Sequence, residues 1–293
     1  MTGAVRYEIE HLSRYRYASR VRRSTMLLCL EPRGDREQRV LHFGIETRPP
    51  GGLSRERDSF GNIRHVLDVH EAHRVLEITA RATVESTPAA ALPTRLGASA
   101  WQEIRAHGRS FADWDFVQPS PLIPPTAALS AFVERHRIRP GGDPLESLLQ
   151  LSDTLYRRLR YIPGVTSAES PVDHVLRSDR GVCQDFAHAM IAIARSWDVP
   201  ARYVSGYLHT TGRTGDHVPE NATHAWVECR LPRLGWIGFD PTNRGLAGAG
   251  HVRIASGRDY RDVSPTRGIV HGGGEARLEI DVQVRTHDGT AHA

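Results

Sequence analysis

The sequence predicts an α+β protein, an all-β sandwich-like module followed by a core of helices and antiparallel strands. Three observations carry this. Residues 5–17 and 76–85 alternate apolar and polar side chains with period two, the pattern of half-buried antiparallel strands. Residues 126–137, 144–160 and 183–197 switch to helical spacing. Strand patterns then return from residue 203, broken by turn residues.

In the first region Val5, Tyr7, Ile9, His11, Tyr15 and Tyr17 fall on alternate positions with Arg and Glu between them. Short runs at Met26–Leu30 and Val40–Thr47 fit as separate strands, and Leu76, Ile78, Ala80, Ala82 and Val84 form another. Turns are signalled by Glu31-Pro32-Arg33-Gly34, Pro49-Pro50-Gly51-Gly52 and Phe60-Gly61-Asn62. Several short strands without helices predict the sandwich-like module over residues 1–90. The small, proline-bearing stretch Ser86–Pro93 reads as a linker.

Residues 91–270 are expected to form the core. Gln118–Pro125 cannot be regular helix, because proline lacks a donor and clashes with the preceding turn. Helices are predicted over 126–137 and 144–160, the second opening after Gly141-Gly142-Asp143-Pro144. A further helix runs from about Cys183 to Trp197, where Asp198-Val199-Pro200 ends it. Tyr203–Leu208 reads as a strand and Thr210–Ala222 as a polar loop able to act as a gate. Two strands follow, joined through Leu231–Gly235. Residues 271–293 hold a last strand, with Leu278, Ile280, Val282 and Val284 alternating with polar residues, and a tail.

Composition narrows the function. The chain has 293 residues, 39% apolar and 25% charged, as soluble globular proteins do. No stretch approaches the roughly 18 apolar residues of a membrane span, and the N-terminus carries no apolar signal core. The expectation is a cytoplasmic protein with no membrane partner. A net charge of +4 (38 basic, 34 acidic), dispersed along strands, argues against a nucleic-acid partner. Three cysteines are too few and too odd for a disulfide framework. All 38 basic residues are arginine.

Cys183, His224 and Asp240 carry the chemistry. Cys183 stands where a loop turns into a helix, His224 opens a strand, and Asp240 ends the next one. Nucleophile, base and base-orienter are the parts an acyl-transfer site needs. A helix N-terminus favours a thiolate and offers N–H groups to a developing oxyanion. On the strand, His224, Trp226 and Glu228 share one face, and Cys229 belongs to the other, toward the core. Gln184, Trp226 and Tyr161 are candidates for the oxyanion hole or the cleft wall. Cys29 and Cys229 read as core, and His188 as a structural hydrogen-bonder, because five residues along a helix it leaves the cysteine's face. His70-Glu71-Ala72-His73 lacks the HExxH spacing of a helical zinc site. No metal and no cofactor is expected.

These segments resemble those of bacterial transglutaminase-like proteins, a group often described as cysteine proteases. The resemblance rests on Gly181–His188, Pro200–Tyr207, His224–Glu228 and Gly235–Asn243 in the core. In the module it rests on Tyr15-Arg16-Tyr17, Leu30–Arg33 and Asp58–Asn62, and near the end on Gly257–Val263. It implies a papain-like α+β core with a Cys–His–Asp triad at Cys183, His224 and Asp240. It does not imply one reaction, since related cores cleave peptides, deamidate, or cross-link amides to amines. The expected substrate is a peptide or protein with a susceptible amide carbonyl, with water or an amine as acceptor. The alternative is a non-catalytic protein-binding module that retains the fold.

Overall fold

In the computed structural model, which describes residues 3–209 and 223–286, the first strand is also the longest. Strand β1 runs over Val5–Leu28, joining two stretches that read as separate strands in the sequence. The join passes through the exposed Ala18-Ser19-Arg20, and the register with its neighbour slips between Arg16 and Val21. Such a slip lets a strand bend without ending. It is followed by β2 (Gln38–Arg48), β3 (Gly52–Arg57), β4 (Ile63–Val69) and β5 (His73–Ser86). The sheet order is β2-β5-β1-β4-β3. Val21 and Leu28 of β1, Leu67 of β4, and Leu76 and Ile78 of β5 share one buried apolar cluster on this sheet.

After the linker come α1 (Ala100–Gly108), α2 (Ala127–Arg135) and α3 (Pro144–Arg158). Helix α1 had no clear signature in the sequence. It buries one residue per turn (Ala100, Ile104, Gly108) and has no side-chain cap. Helix α3 is the opposite case. Asp143 Oδ1 accepts the N–H groups of Leu145 and Glu146 at 3.0 and 3.1 Å, and Pro144 occupies the first turn. Its Oδ2 takes the N–H groups of Leu96 and Gly97, both at 2.6 Å, which fastens the linker to the core.

Next, β6 (Arg160–Tyr161), α4 (Asp173–Ser178) and β7 (Arg180–Gly181) lead into α5 (Cys183–Ser196). β6 and β7 form a two-residue parallel pair that sets Tyr161 opposite Gly181, two residues before the thiol. Helix α5 is buried on nearly every side, from Gln184 to Arg195. The chain continues with β8 (Ala201–Leu208), β9 (His224–Leu231), β10 (Gly235–Asp240), β11 (Gly245–Leu246), β12 (His251–Gly257) and α6 (Tyr260–Val263). The core sheet is antiparallel in the order β11-β10-β9-β8-β12. Ala225, Val227 and Cys229 share a core with the apolar side of α5, as strand alternation requires.

The last described residues form β13 (Thr266–Gly272) and β14 (Ala276–Thr286), and both pair with β1. The first and last strands therefore share one sheet. A single apolar core also links the sheet to the helical part, bringing Tyr7, Ile9 and Val84 together with Tyr207, Val252 and Val282. Two primary amides complete this junction at the open edge of β12. Gln38 bonds both the N–H and the C=O of Arg253, and Asn62 does the same for Ser256, all four bonds at 2.8 Å.

Candidate active site

Cys183 opens α5 because Asp185 closes the turn before it. Asp185 Oδ2 accepts the Val182 N–H at 2.7 Å and the Thr166 hydroxyl at 2.6 Å. The residue read as a dipole partner is thus also the cap that holds the cysteine's backbone. Glycine is needed at 181, since a Cβ there would sit 2.5 Å from the Asp185 Cβ. The thiol is neither buried nor fully exposed, unlike those of Cys29 and Cys229.

His224 and Asp240 lie on adjacent strands, both almost wholly buried. His224 Nε2 donates to Asp240 Oδ2 at 2.7 Å. Its Nδ1 has no hydrogen-bond partner of ordinary length. Cys183 is nonetheless a weaker hydrogen-bond and charge partner of the ring, so the free nitrogen is the one left for the thiol. Burial alone would lower the imidazole's pKa, but the charge and hydrogen bond of Asp240, with Cys183 adding to them, raise it to about 10. Burial likewise opposes ionisation of Asp240. The His224 cation and the donors from His224 and His251 win, and its carboxyl is held well below the usual range.

Five N–H groups meet on the Asp240 carboxylate. Oδ1 takes the backbone N–H groups of Thr242 and Asn243 at 3.0 and 3.2 Å. Oδ2 takes His224, the Asn243 side-chain amide at 2.9 Å and His251 Nε2 at 3.1 Å. His251 and Asn243 had no assigned part in the sequence reading. Asn243 belongs to the Asp240–Asn243 turn, where an Asx-type contact is a recognisable signal. His251 had none. It is one of 16 histidines and follows a glycine-rich stretch that reads as loop.

Trp226 is fully buried, stacks on the His224 ring (centroids 6.1 Å apart, 28° between planes) and meets His251 edge-on at 5.2 Å. It faces away from α5, and a Cβ on Gly206 would strike its ring at 2.4 Å. Gln184 is tied through Nε2 to the Ala168 carbonyl at 3.1 Å. Tyr161 is half-buried beside Phe186, with ring centroids 6.3 Å apart. Its hydroxyl pKa is raised, first by burial and then by the charges of Cys183 and Asp185. His188 is fully buried, and its Nε2 accepts the Tyr260 N–H at 3.2 Å.

Metal-ligand atoms of three residues gather at one place among the described residues, namely His224, Asp240 and His251 within 4.8 Å. The two imidazoles meet the carboxylate through N–H groups, so the contacts a cation would use already carry protons. His73 of the His70–His73 stretch donates instead to the Glu71 carbonyl at 2.7 Å. No helix among the described residues is long and apolar enough to cross a membrane.

Comparison with known proteins fits this architecture. Residues 134–241 match the transglutaminase-like superfamily core, and residues 7–85 match the bacterial transglutaminase-like N-terminal region. An uncharacterized protein of Mycobacterium tuberculosis is 32% identical over 99% of this chain and 96% of its own length. The chain belongs to the transglutaminase-like superfamily. A second uncharacterized relative, from Mycobacterium leprae, is 30% identical over 95% of this chain and 98% of its own. A solved structure of a candidate cysteine protease from Cytophaga hutchinsonii superposes with a TM-score of 0.77 at 22% identity. It covers 98% of this chain and 92% of that one, a likeness of fold. A protein-glutamine gamma-glutamyltransferase of Pseudomonas aeruginosa is 35% identical over 83 residues, 27% of this chain and 12% of that enzyme. Within the superfamily fold, β6–β7, α5 and the β9–β10 pair bring Cys183, His224, Asp240 and Tyr161 into one neighbourhood. The loop 210–222, read as a gate, lies outside the described residues.

Proposed function

We propose that this transglutaminase-like protein is a thiol enzyme that attacks an amide carbonyl of a peptide or protein through Cys183, His224 and Asp240. The observation that carries the reading is the His224 imidazole, bound through Nε2 to a buried, ionised Asp240 and with Nδ1 left for Cys183. In the first step the sulfur, its proton already held at Nδ1 of the cationic His224, adds to the carbonyl carbon. The first-turn N–H groups of α5 meet the developing oxyanion. His224 then gives its proton to the leaving amine, and the C–N bond breaks to leave a thioester. Water or a second amine, deprotonated by His224 as it attacks, releases the acyl group and restores the thiolate–imidazolium pair. Asp240 stays ionised throughout and fixes the tautomer.

The Cys–His pair is tested without knowing the substrate. The rate of Cys183 alkylation by iodoacetamide, followed by mass spectrometry, is expected to stay high well below the pH at which an ordinary thiol reacts. In His224→Ala that low-pH reactivity disappears. Equal, ordinary thiol profiles in both proteins would sink the proposal. The acceptor is then read by incubating a glutamine-bearing protein with a fluorescent primary amine. Incorporation marks acyl transfer to amines, and ammonia release without incorporation marks hydrolysis. Because the enzyme has no lysine, lysine-linked products in that assay cannot take their amine from an enzyme side chain.

A further inference from the structure

The cleft around Cys183 does not account for the back of the His224–Asp240 pair, where a second imidazole meets the same carboxylate. His251 stands at the start of β12 and donates from Nε2 to Asp240 Oδ2 at 3.1 Å. Its own tautomer is set from the other side, where Nδ1 accepts the Gly248 N–H at 3.1 Å. The ring is pressed edge-on against Trp226, which itself stacks on His224. Behind this wall lies a cavity of about 360 Å³, bounded by His251, Trp226, Trp236, Ile237, Leu246 and the 86–92 linker. Charged groups facing His251 are Asp240 and His224 and, across the cavity, Glu37, Glu228 and Arg253. Arg253 pairs with both carboxylates, reaching Glu228 at 3.2 Å and Glu37 at 3.4 Å.

We propose that His251 is a positioning residue for the reaction, a plug that keeps Asp240 Oδ2, and with it the His224–Asp240 pair, separated from the cavity. The proposal rests on the Cys183–His224 reading above. Two backbone N–H groups hold Oδ1, so the carboxylate would not swing away freely without His251. What the ring's removal changes is access. Oδ2 would open onto a cavity large enough for several waters, and water there weakens the field by which the carboxylate holds the imidazolium. His251 thus acts through Asp240 and touches no reacting atom. The cavity gives the means of testing this, because a free imidazole can enter where the side chain has been cut away.

The experiment compares wild type, His251→Ala, His251→Gln and His224→Ala by Cys183 alkylation with iodoacetamide between pH 4 and 9, with thermal unfolding measured alongside. A hydrogen bond to a charged group of this kind is expected to be worth about tenfold in the low-pH alkylation rate of His251→Ala. His251→Gln, whose amide can donate where Nε2–H stood, keeps most of the rate. Free imidazole, added to His251→Ala and absent from the other samples, restores it in a saturable way, whether or not the variant unfolds at a lower temperature. A His251→Ala profile identical to wild type overturns the inference. So does a slowed profile that neither imidazole nor the glutamine variant restores, which would make His251 a packing residue. If wild type itself lacks low-pH reactivity, it is the Cys183–His224 reading that fails, and the His251 inference falls with it.

Discussion

At Asp240 a buried negative charge is surrounded by donors, and this arrangement makes the site sensitive to pH in a definite direction. The folded protein raises the pKa of His224 to about 10, so its charged form contributes stability in full below the ordinary imidazole value of 6.5. That contribution fades as pH rises through about 10. Asp240, whose pKa is lowered, contributes above the ordinary carboxyl value of 3.8 and loses it as pH falls below that. In Asp240→Asn the imidazole is buried without a counter-charge, and its protonation becomes unfavourable. The melting-temperature gap between wild type and Asp240→Asn should therefore be widest near pH 5–6 and narrow toward pH 10. A gap that stays constant across that range would show that the pair is not ionised in the fold. Cys183, His224 and Asp240 were legible in the sequence because each sits at an element boundary with a motif around it. His251 was not, because its partner is brought to it by the pairing of β12 with β8, a contact that no local pattern announces.

Element by element, the least expected support comes from β12. It is the edge strand of the core sheet, and an unpaired edge leaves backbone groups without partners. Gln38 and Asn62, from the N-terminal sheet, stand in for a neighbouring strand at Arg253 and Ser256. Asn62 is fixed in turn by Asp58, which accepts its backbone and side-chain N–H groups at 2.9 and 3.0 Å. This gives a physical reason for the Asp58-Ser59-Phe60-Gly61-Asn62 segment that the family resemblance picked out. Because β12 also carries His251, loosening this edge should be felt at the site. Asn62→Ala leaves two buried backbone groups of Ser256 without partners, a cost of about 1–3 kcal/mol. The expected result is a lower unfolding midpoint in urea, with faster amide exchange at Arg253 and Ser256 than at β9. Unchanged exchange at β12 would show that the amides are ornamental. The helices teach a complementary lesson. α3 and α5 carry their start signals in Asp143-Pro144 and Val182–Asp185. α1 and α4 are short and uncapped by side chains, and form because the core supplies a place for a few residues each.

Across the whole molecule the chain closes on itself, and its division by sequence pattern does not isolate its parts physically. Period-two alternation identified β1, β5 and β14, but alternation names a buried face, not a partner. It could not say that β14 lies against β1 from Tyr7 to Tyr17, or that β13 continues along the same strand from Val21 to Leu28. Register of this kind is set by long-range pairing, which a local reading does not reach. The consequence concerns a fragment spanning residues 91–270. It would keep Cys183, His224, Asp240 and His251, yet lack Gln38 and Asn62 at the β12 edge. It would also expose Tyr207, Val252 and Ile254, which are wholly or almost wholly buried in the full chain, and it would carry most of β13 with no strand to pair with. Such a fragment should retain far-ultraviolet circular dichroism while losing its near-ultraviolet signal and binding a hydrophobic dye, the signature of lost packing. Its Cys183 should alkylate as an ordinary thiol does. Adding residues 1–90 as a separate chain restores the amides but not β14, so recovery should be partial. A fragment 91–270 that unfolds cooperatively and keeps low-pH thiol reactivity would show that the core stands alone and that the N-terminal sheet serves another purpose.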